Sequence, residues 1–185
     1  MYKRQDYNHA TQGVEADNWY KHPDYNGSDG YSDVSLIHLS QTFRKVPLMP
    51  VNDDLIRNSW VGENVRLVGY GITSDHDNNT NSTKRMTEVP IYQFDERLVV
   101  TFDDSGKKNT NACHGDSGGP VLHLRDDGGY ETMGVMDFVY GSYSDCEGNG
   151  LASARVDYFL DWIHGYTDTF TYEELNPEGL SLIHI

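Results

Sequence analysis

Asn111-Ala112-Cys113-His114-Gly115-Asp116-Ser117-Gly118-Gly119-Pro120 is the stretch on which the reading of this 185-residue chain turns. Ser117 stands between Asp116 and a glycine pair, with Gly115 two positions before it. Glycine on either side lets the backbone turn sharply and present amide N–H groups where a serine hydroxyl projects. The N–H groups of Gly115 and Ser117 can then bind an oxyanion. Taken bare, a Gly/Ser string also fits an ordinary turn leading into a strand.

Outward from this stretch the pattern is that of an all-β protein. Residues 121–124 pair with 132–136 across Asp126-Asp127-Gly128-Gly129, a hairpin signal. Val156, Phe159, Leu160 and Ile163 recur at helical spacing, with Gly165 placed to end that helix. The acidic stretch 171–178 reads as loop. The apolar end Leu180-Ser181-Leu182-Ile183-His184-Ile185 either docks on the core or is foreign sequence, and the second reading is favoured. Toward the N-terminus, 84–94 and 97–102 read as strands, and 75–83 and 103–109 as polar loops. Residues 65–71 are strand-like, and Gly69 and Gly71 suggest a bend or a close backbone approach. Leu55 and Ile56 are candidate buried anchors, and 34–39 reads as a mostly buried strand. Residues 1–26 are polar with little periodicity. Many short strands, glycine turns and one late helix predict a β-barrel or sandwich.

Charge excludes some functions. Lys and Arg number 14 against 29 Asp and Glu, a formal balance of −15. Phosphate contacts need clustered cations, so a nucleic-acid partner is not expected, nor a polybasic lipid anchor. No apolar run reaches the roughly 18 residues of a membrane span. No HExxH or paired CxxC suggests zinc, and neither a metal nor a cofactor is expected. Asp75, Asp77 and Asn79 imitate the start of a calcium loop, but Thr80 and Met86 stand where its glycine and bidentate Glu belong. Cys113 and Cys146 are either two buried thiols or one bridge, which would contribute roughly 3.5–4 kcal/mol by loop closure.

Gly115-Asp116-Ser117-Gly118-Gly119-Pro120 resembles the nucleophile segment of the chymotrypsin-like (trypsin-like) serine proteases. His22-Pro23-Asp24-Tyr25-Asn26 followed by 33–39 is similar to the stretch bearing that family's catalytic aspartate. Val68-Gly69-Tyr70-Gly71 resembles the strand opening its second barrel, and Trp162-Ile163 its C-terminal helix. The resemblance implies an all-β, chymotrypsin-like double β-barrel with an incomplete first barrel and a C-terminal helix. Residues 1–57 would be the partial first barrel, 58–166 the second barrel with the helix, and 167–185 the tail. It implies Ser117 as nucleophile, Asp33 as the carboxylate orienting a histidine, and Gly115 and Ser117 as oxyanion-hole amides. Asp116 would pair with the N-terminus created by zymogen cleavage. Cys113 and Cys146 would form the disulfide beside the specificity pocket, which points to a secreted or periplasmic location.

One part of the pattern departs. The family's base precedes the aspartate, and only His9 and His22 precede Asp33. His22 belongs to the His-Pro-Asp-Tyr-Asn stretch, and His9 lacks the flanking signature. The expectation is that the first strands and the base lie upstream of Met1, and that this chain alone has little or no protease activity. The partner expected of the intact enzyme is a peptide or protein substrate. Asn111 would form the pocket floor, removing the main reason to expect cleavage after Arg or Lys. Either Asp137-Phe138-Val139 or Val139-Tyr140-Gly141 would line its wall; Asp137 could point inward or be a solvated loop charge. The alternative function is a non-catalytic protease homologue acting as a binding module.

Overall fold

The computed structural model describes residues 13–28, 30–41, 47–73, 83–102, 111–141, 146 and 148–167. Among these residues eight strands and one α-helix follow in chain order, with a short 3-10 turn at Asn58–Trp60. They are β1 (Ala16–Lys21), β2 (Ser35–Leu39), β3 (Asn64–Gly69), β4 (Arg85–Phe94), β5 (Leu98–Thr101), β6 (Pro120–Leu124), β7 (Tyr130–Tyr140), β8 (Gly150–Arg155) and α1 (Val156–Thr167). β1 and β2 form a two-stranded antiparallel sheet. β3, β4, β5, β8, β7 and β6 form a closed antiparallel barrel, sealed where Arg66 and Leu67 of β3 meet Leu122 and Val121 of β6. The all-β class with a C-terminal helix is thus the observed one. A closed barrel leaves no sheet edge open among its own strands.

Alternation explains which faces meet. Val65 and Leu67 on β3, and Val89 and Ile91 on β4, point inward at the period of two that a pleated strand imposes. With Val99, Val121, Met133, Met136 and Leu151 they fill the barrel. β8 differs: all six of its residues, Gly-Leu-Ala-Ser-Ala-Arg, are buried. Leu151 faces the barrel interior, whereas Ala154 joins a second cluster outside it with Val34, Leu36, Val135, Val156, Phe159 and Ile163. That second cluster fixes the β1–β2 sheet and the loop before β2 to the barrel and to α1.

The helix buries the face its spacing predicts, with Phe159 and Ile163 almost fully covered. It continues through Gly165 to Thr167, contrary to the expected stop. Gly165 does not adopt the left-handed conformation of a glycine cap, so nothing in its backbone ends the helix. At the other end Asp157 accepts the Ile56 N–H (3.0 Å) and is gripped by Arg155 through Nε (3.0 Å) and Nη2 (2.5 Å). Arg155 Nη1 also donates to the Asp95 carbonyl. Ile56 is therefore an anchor as expected, but Leu55 is 68 % exposed. The expected loops at 75–82 and 103–109 and the tail beyond 167 lie outside the described residues.

Candidate active site

The turn carrying Ser117 is set by glycine. Gly115 and Gly118 have φ of +93° and +81°, a region that side chains rarely adopt. Within the turn, Asp116 N–H donates to the Cys113 carbonyl (3.0 Å) and Gly119 N–H to the Asp116 carbonyl (2.9 Å). Gly118 N–H donates to the Met136 carbonyl (2.8 Å), and Met136 N–H donates to the Gly119 carbonyl (2.9 Å), which pins the turn to β7. The N–H groups of Gly115 and Ser117 have no acceptor among the described residues. Both residues are exposed.

Ser117 Oγ donates to the main-chain carbonyl of Asp137 at 3.2 Å. No described histidine bonds to it. His22 is buried, with Phe159 and Trp162 edge-on at 5.0 and 4.9 Å between ring centroids. Its Nδ1 accepts the Asp24 N–H (3.2 Å), which leaves the proton of the neutral ring on Nε2. Burial pulls its pKa below 6.5, the nearby Arg97 charge adds to this, and Asp24 opposes it. His38 bonds Asp17 (2.5 Å), and His123 bonds Glu131 (3.0 Å) while stacking on Trp60. His9 lies outside the described residues.

Asp116 turns away from Ser117. Its Oδ1 accepts the Gly71 N–H (2.7 Å) and its Oδ2 the Cys113 N–H (2.9 Å). The two glycines singled out in 65–71 make room for it, since a Cβ on Gly69 would fall 1.9 Å from Oδ1 and one on Gly71 2.6 Å from Cγ. Beside the carboxylate lies a cavity of about 190 Å³, bordered by Leu67, Gly69, Gly71, Arg85 and Asn111. Cys113 and Cys146 are joined by a disulfide with Cα atoms 5.3 Å apart, which ties the serine turn to the segment before β8.

Asn111 is committed on both sides of its amide. Nδ2 donates to the Asn149 carbonyl (2.7 Å), and Oδ1 accepts the Ala112 N–H (2.9 Å). Val139 packs on the barrel core, Phe138 covers Gly30, and the Tyr140 ring lies against Gly150. Asp137 and Asp33 were expected at separate tasks, yet Asp33 lies near enough for its charge to act on the Asp137 carboxyl. Asp137 is only half-buried, but its Oδ2 is covered and finds no donor among the described residues, so it is not a freely solvated loop charge. Burial first, then the Asp33 charge, push its pKa from 3.8 to about 7. This proximity was missed because it joins positions far apart in sequence. Only the placement of an acidic residue soon after Gly134 hinted at it. No cluster of His, Cys, Asp or Glu suited to a metal occurs among the described residues.

Comparison with known proteins places this arrangement. The Trypsin family model matches residues 1–163. "Phenoloxidase-activating factor 1" of Holotrichia diomphalia is 30 % identical over 165 residues, covering 78 % of this chain and 43 % of that protein. "Brachyurin" of Leptuca pugilator is 29 % identical over 169 residues, covering 85 % of this chain and 71 % of its own length. "Glucanase inhibitor protein 3" of Phytophthora infestans is 27 % identical over 155 residues, covering 79 % and 58 %. The chain thus spans less than half of the first of these relatives and about seven-tenths of the second. Since the match takes in the barrel, the serine turn and most of the helix, the chain belongs to the trypsin family.

Proposed function

We propose that this chain is the nucleophile-bearing part of a serine endopeptidase that cleaves peptide bonds through an acyl-enzyme on Ser117. The observation that carries this reading is the exposed Ser117 in a glycine turn whose Gly115 and Ser117 N–H groups have no acceptor among the described residues. In the reaction, Ser117 Oγ attacks the scissile carbonyl and a histidine takes its proton. The amides of Gly115 and Ser117 hold the oxyanion, worth roughly 3–4 kcal/mol for one such donor. Asp33 orients the histidine, and the leaving amine takes the proton back before water releases the acyl group. Residues 1–57 are read as the part of the first barrel bearing Asp33, and 58–166 as the second barrel with its helix.

The cavity beside Asp116 suits the α-ammonium of a chain cleaved on activation, because the carboxylate borders it and is already oriented by two N–H groups. A neutral side chain is the expected substrate residue. The Asn111 amide is engaged with Asn149 and Ala112, which leaves it no free group to anchor Arg or Lys. A disulfide and the absence, among the described residues, of a helix able to cross a membrane support a secreted or periplasmic protein.

A second reading is a non-catalytic binding module. It is favoured by the absence of any described histidine at Ser117 and by the relative named as a glucanase inhibitor. Fluorophosphonate labelling separates the two. The protease reading predicts slight labelling of this chain in buffer, a marked rise when imidazole is added as an external base, and none in Ser117→Ala. A Ser117 that stays inert with imidazole supports the binding module.

A further inference from the structure

Building on the reading of this protein as secreted, we propose that Asn26 is a glycosylation site, whose side-chain nitrogen takes an N-linked glycan from a lipid-diphosphate donor. Asn26-Gly27-Ser28 supplies what an oligosaccharyl transferase reads: an asparagine, a residue other than proline, and a hydroxyl two positions on. Such a triplet also suits a plain turn, so its placement decides. All three residues are exposed, in the loop between the end of β1 and the start of β2. The chain's other Asn-Gly pair shows the contrast. Asn149 and Gly150 are buried, and Leu151 follows them where a hydroxyl is needed.

The loop can carry a bulky group without disturbing the sheet. Upstream of the triplet it is anchored by buried His22, whose carbonyl accepts the Tyr25 N–H (3.1 Å). Downstream it is anchored where Gly30 meets the Phe138 ring. Between these anchors the main chain of 26–28 enters no backbone–backbone hydrogen bond among the described residues. A glycan on Asn26 therefore displaces no ladder bond and covers no core residue.

The local geometry also favours the chemistry. Asn26 Oδ1 accepts two hydrogen bonds from Ser28, one from its N–H (2.8 Å) and one from its Oγ (2.9 Å). A turn made only to redirect the chain needs the N–H alone, which any residue but proline supplies at position 28. The hydroxyl is the part that Ser or Thr brings. Gly27 completes the turn with φ of +78°, a conformation that favours glycine. Both bonds stay within the triplet, so the turn needs nothing from the rest of the fold and can be met by the transferase on the nascent chain. An amide nitrogen is a poor nucleophile, because its lone pair is shared with the carbonyl. As Nδ2 gives up a proton to a base of the transferase, negative charge gathers on Oδ1, where the two Ser28 donors stabilise it. Nδ2 then bonds to the anomeric carbon of the sugar. The bond from that carbon to the diphosphate oxygen breaks, and the lipid diphosphate departs with its electron pair, leaving a neutral N-glycosyl amide.

The test is expression of the full chain behind a cleaved secretion signal in insect cells, with medium and cell extract both treated with a peptide N-glycosidase in heavy-oxygen water. That treatment turns each glycosylated asparagine into an isotope-marked aspartate, which peptide mass spectrometry locates. The mark is expected at residue 26 in wild type and in Ser28→Thr, which keeps the hydroxyl. It should be lost in Ser28→Ala and in Asn26→Gln. The remaining triplets, at Asn78 and Asn81, lie outside the described residues and are read on their own peptides. An unmarked Asn26 in wild type whose Cys113–Cys146 bridge has formed overturns the proposal. So does a mark that persists in Ser28→Ala. Cys113 and Cys146 recovered as thiols would strike at the secreted reading itself, and the proposal falls with it, so the two failures are told apart.

Discussion

Gly69→Ala tests how the serine turn is held. The added Cβ would fall 1.9 Å from Asp116 Oδ1, inside any van der Waals contact. Val68 and Gly69 are held in register by β4 through Met86 and Arg85, so the carboxylate has to give way rather than the strand. It then forfeits the N–H donors of Gly71 and Cys113. Hydrogen bonds to a charged group contribute roughly 1.5–3 kcal/mol each, or about 3–6 kcal/mol for the two. Asp116 is only half-buried, and rehydration of the displaced carboxylate returns part of this. The net expectation is a loss of about 2–4 kcal/mol in urea unfolding. The control is a double-mutant cycle with Asp116→Ala. Without the carboxylate the nearest neighbour is the β-carbon of residue 116 at 3.2 Å, a tight contact that a small shift relieves. Gly69→Ala should then cost about 1 kcal/mol in that background, giving a coupling of about 2 kcal/mol. Equal costs in the two backgrounds would refute the claim that Gly69 is glycine for the sake of Asp116.

Two predictions concern pH and have opposite signs. His22 has a lowered pKa when folded, so as pH falls below about 6.5 the unfolded chain binds its proton first and stability declines. His22→Gln should remove that component from a series of denaturant melts; an unchanged acid slope would contradict it. Asp137 has a raised pKa, so the unfolded chain releases its proton first. Its contribution to stability is then full below pH 3.8 and is lost as pH rises toward about 7. In Asp137→Asn that decline should disappear, and its persistence would assign the slope to other groups. Arg155→Ala leaves Asp157 buried without its ion-pair partner and should cost about 3–5 kcal/mol by urea unfolding. Reducing the Cys113–Cys146 bridge, which closes 33 positions, should lower stability by about 4 kcal/mol in the same assay; a loss below about 1 kcal/mol would contradict loop closure as its mechanism.

Strands buried on one face were legible because alternation survives in them, as Val65 and Leu67 show on β3. β8 was not, since Gly150–Arg155 is buried on both faces and its small residues carry neither alternation nor β-branched bulk. β1 was also missed: Trp19 in its middle is 66 % exposed, so its aromatic content reports no buried face. The late helix was visible from four apolar positions, yet its end was misplaced because an exposed glycine can remain helical. At the site, the glycine-framed turn at Ser117 was readable from local sequence, because sharp turns need glycine at fixed offsets. Gly69 and Gly71 were readable as a close approach, but what approaches them, Asp116, was not. The approach of the 30–34 loop to β7, with Gly30 against Phe138 and Val34 beside Val135, was beyond reach because it joins distant parts of the chain.

The most direct test of the central claim is turnover of a nitrophenyl ester of a neutral amino acid by this chain, measured against imidazole concentration. If Ser117 is a nucleophile served by oxyanion donors and short of a base among the described residues, hydrolysis above the imidazole background should rise with imidazole and stop at Ser117→Ala. An acyl adduct should be found on Ser117 by mass spectrometry. Rates equal in wild type and Ser117→Ala at every imidazole concentration would contradict the assignment of the nucleophile. Rapid turnover in plain buffer, lost in His9→Ala, would contradict the assignment of the base.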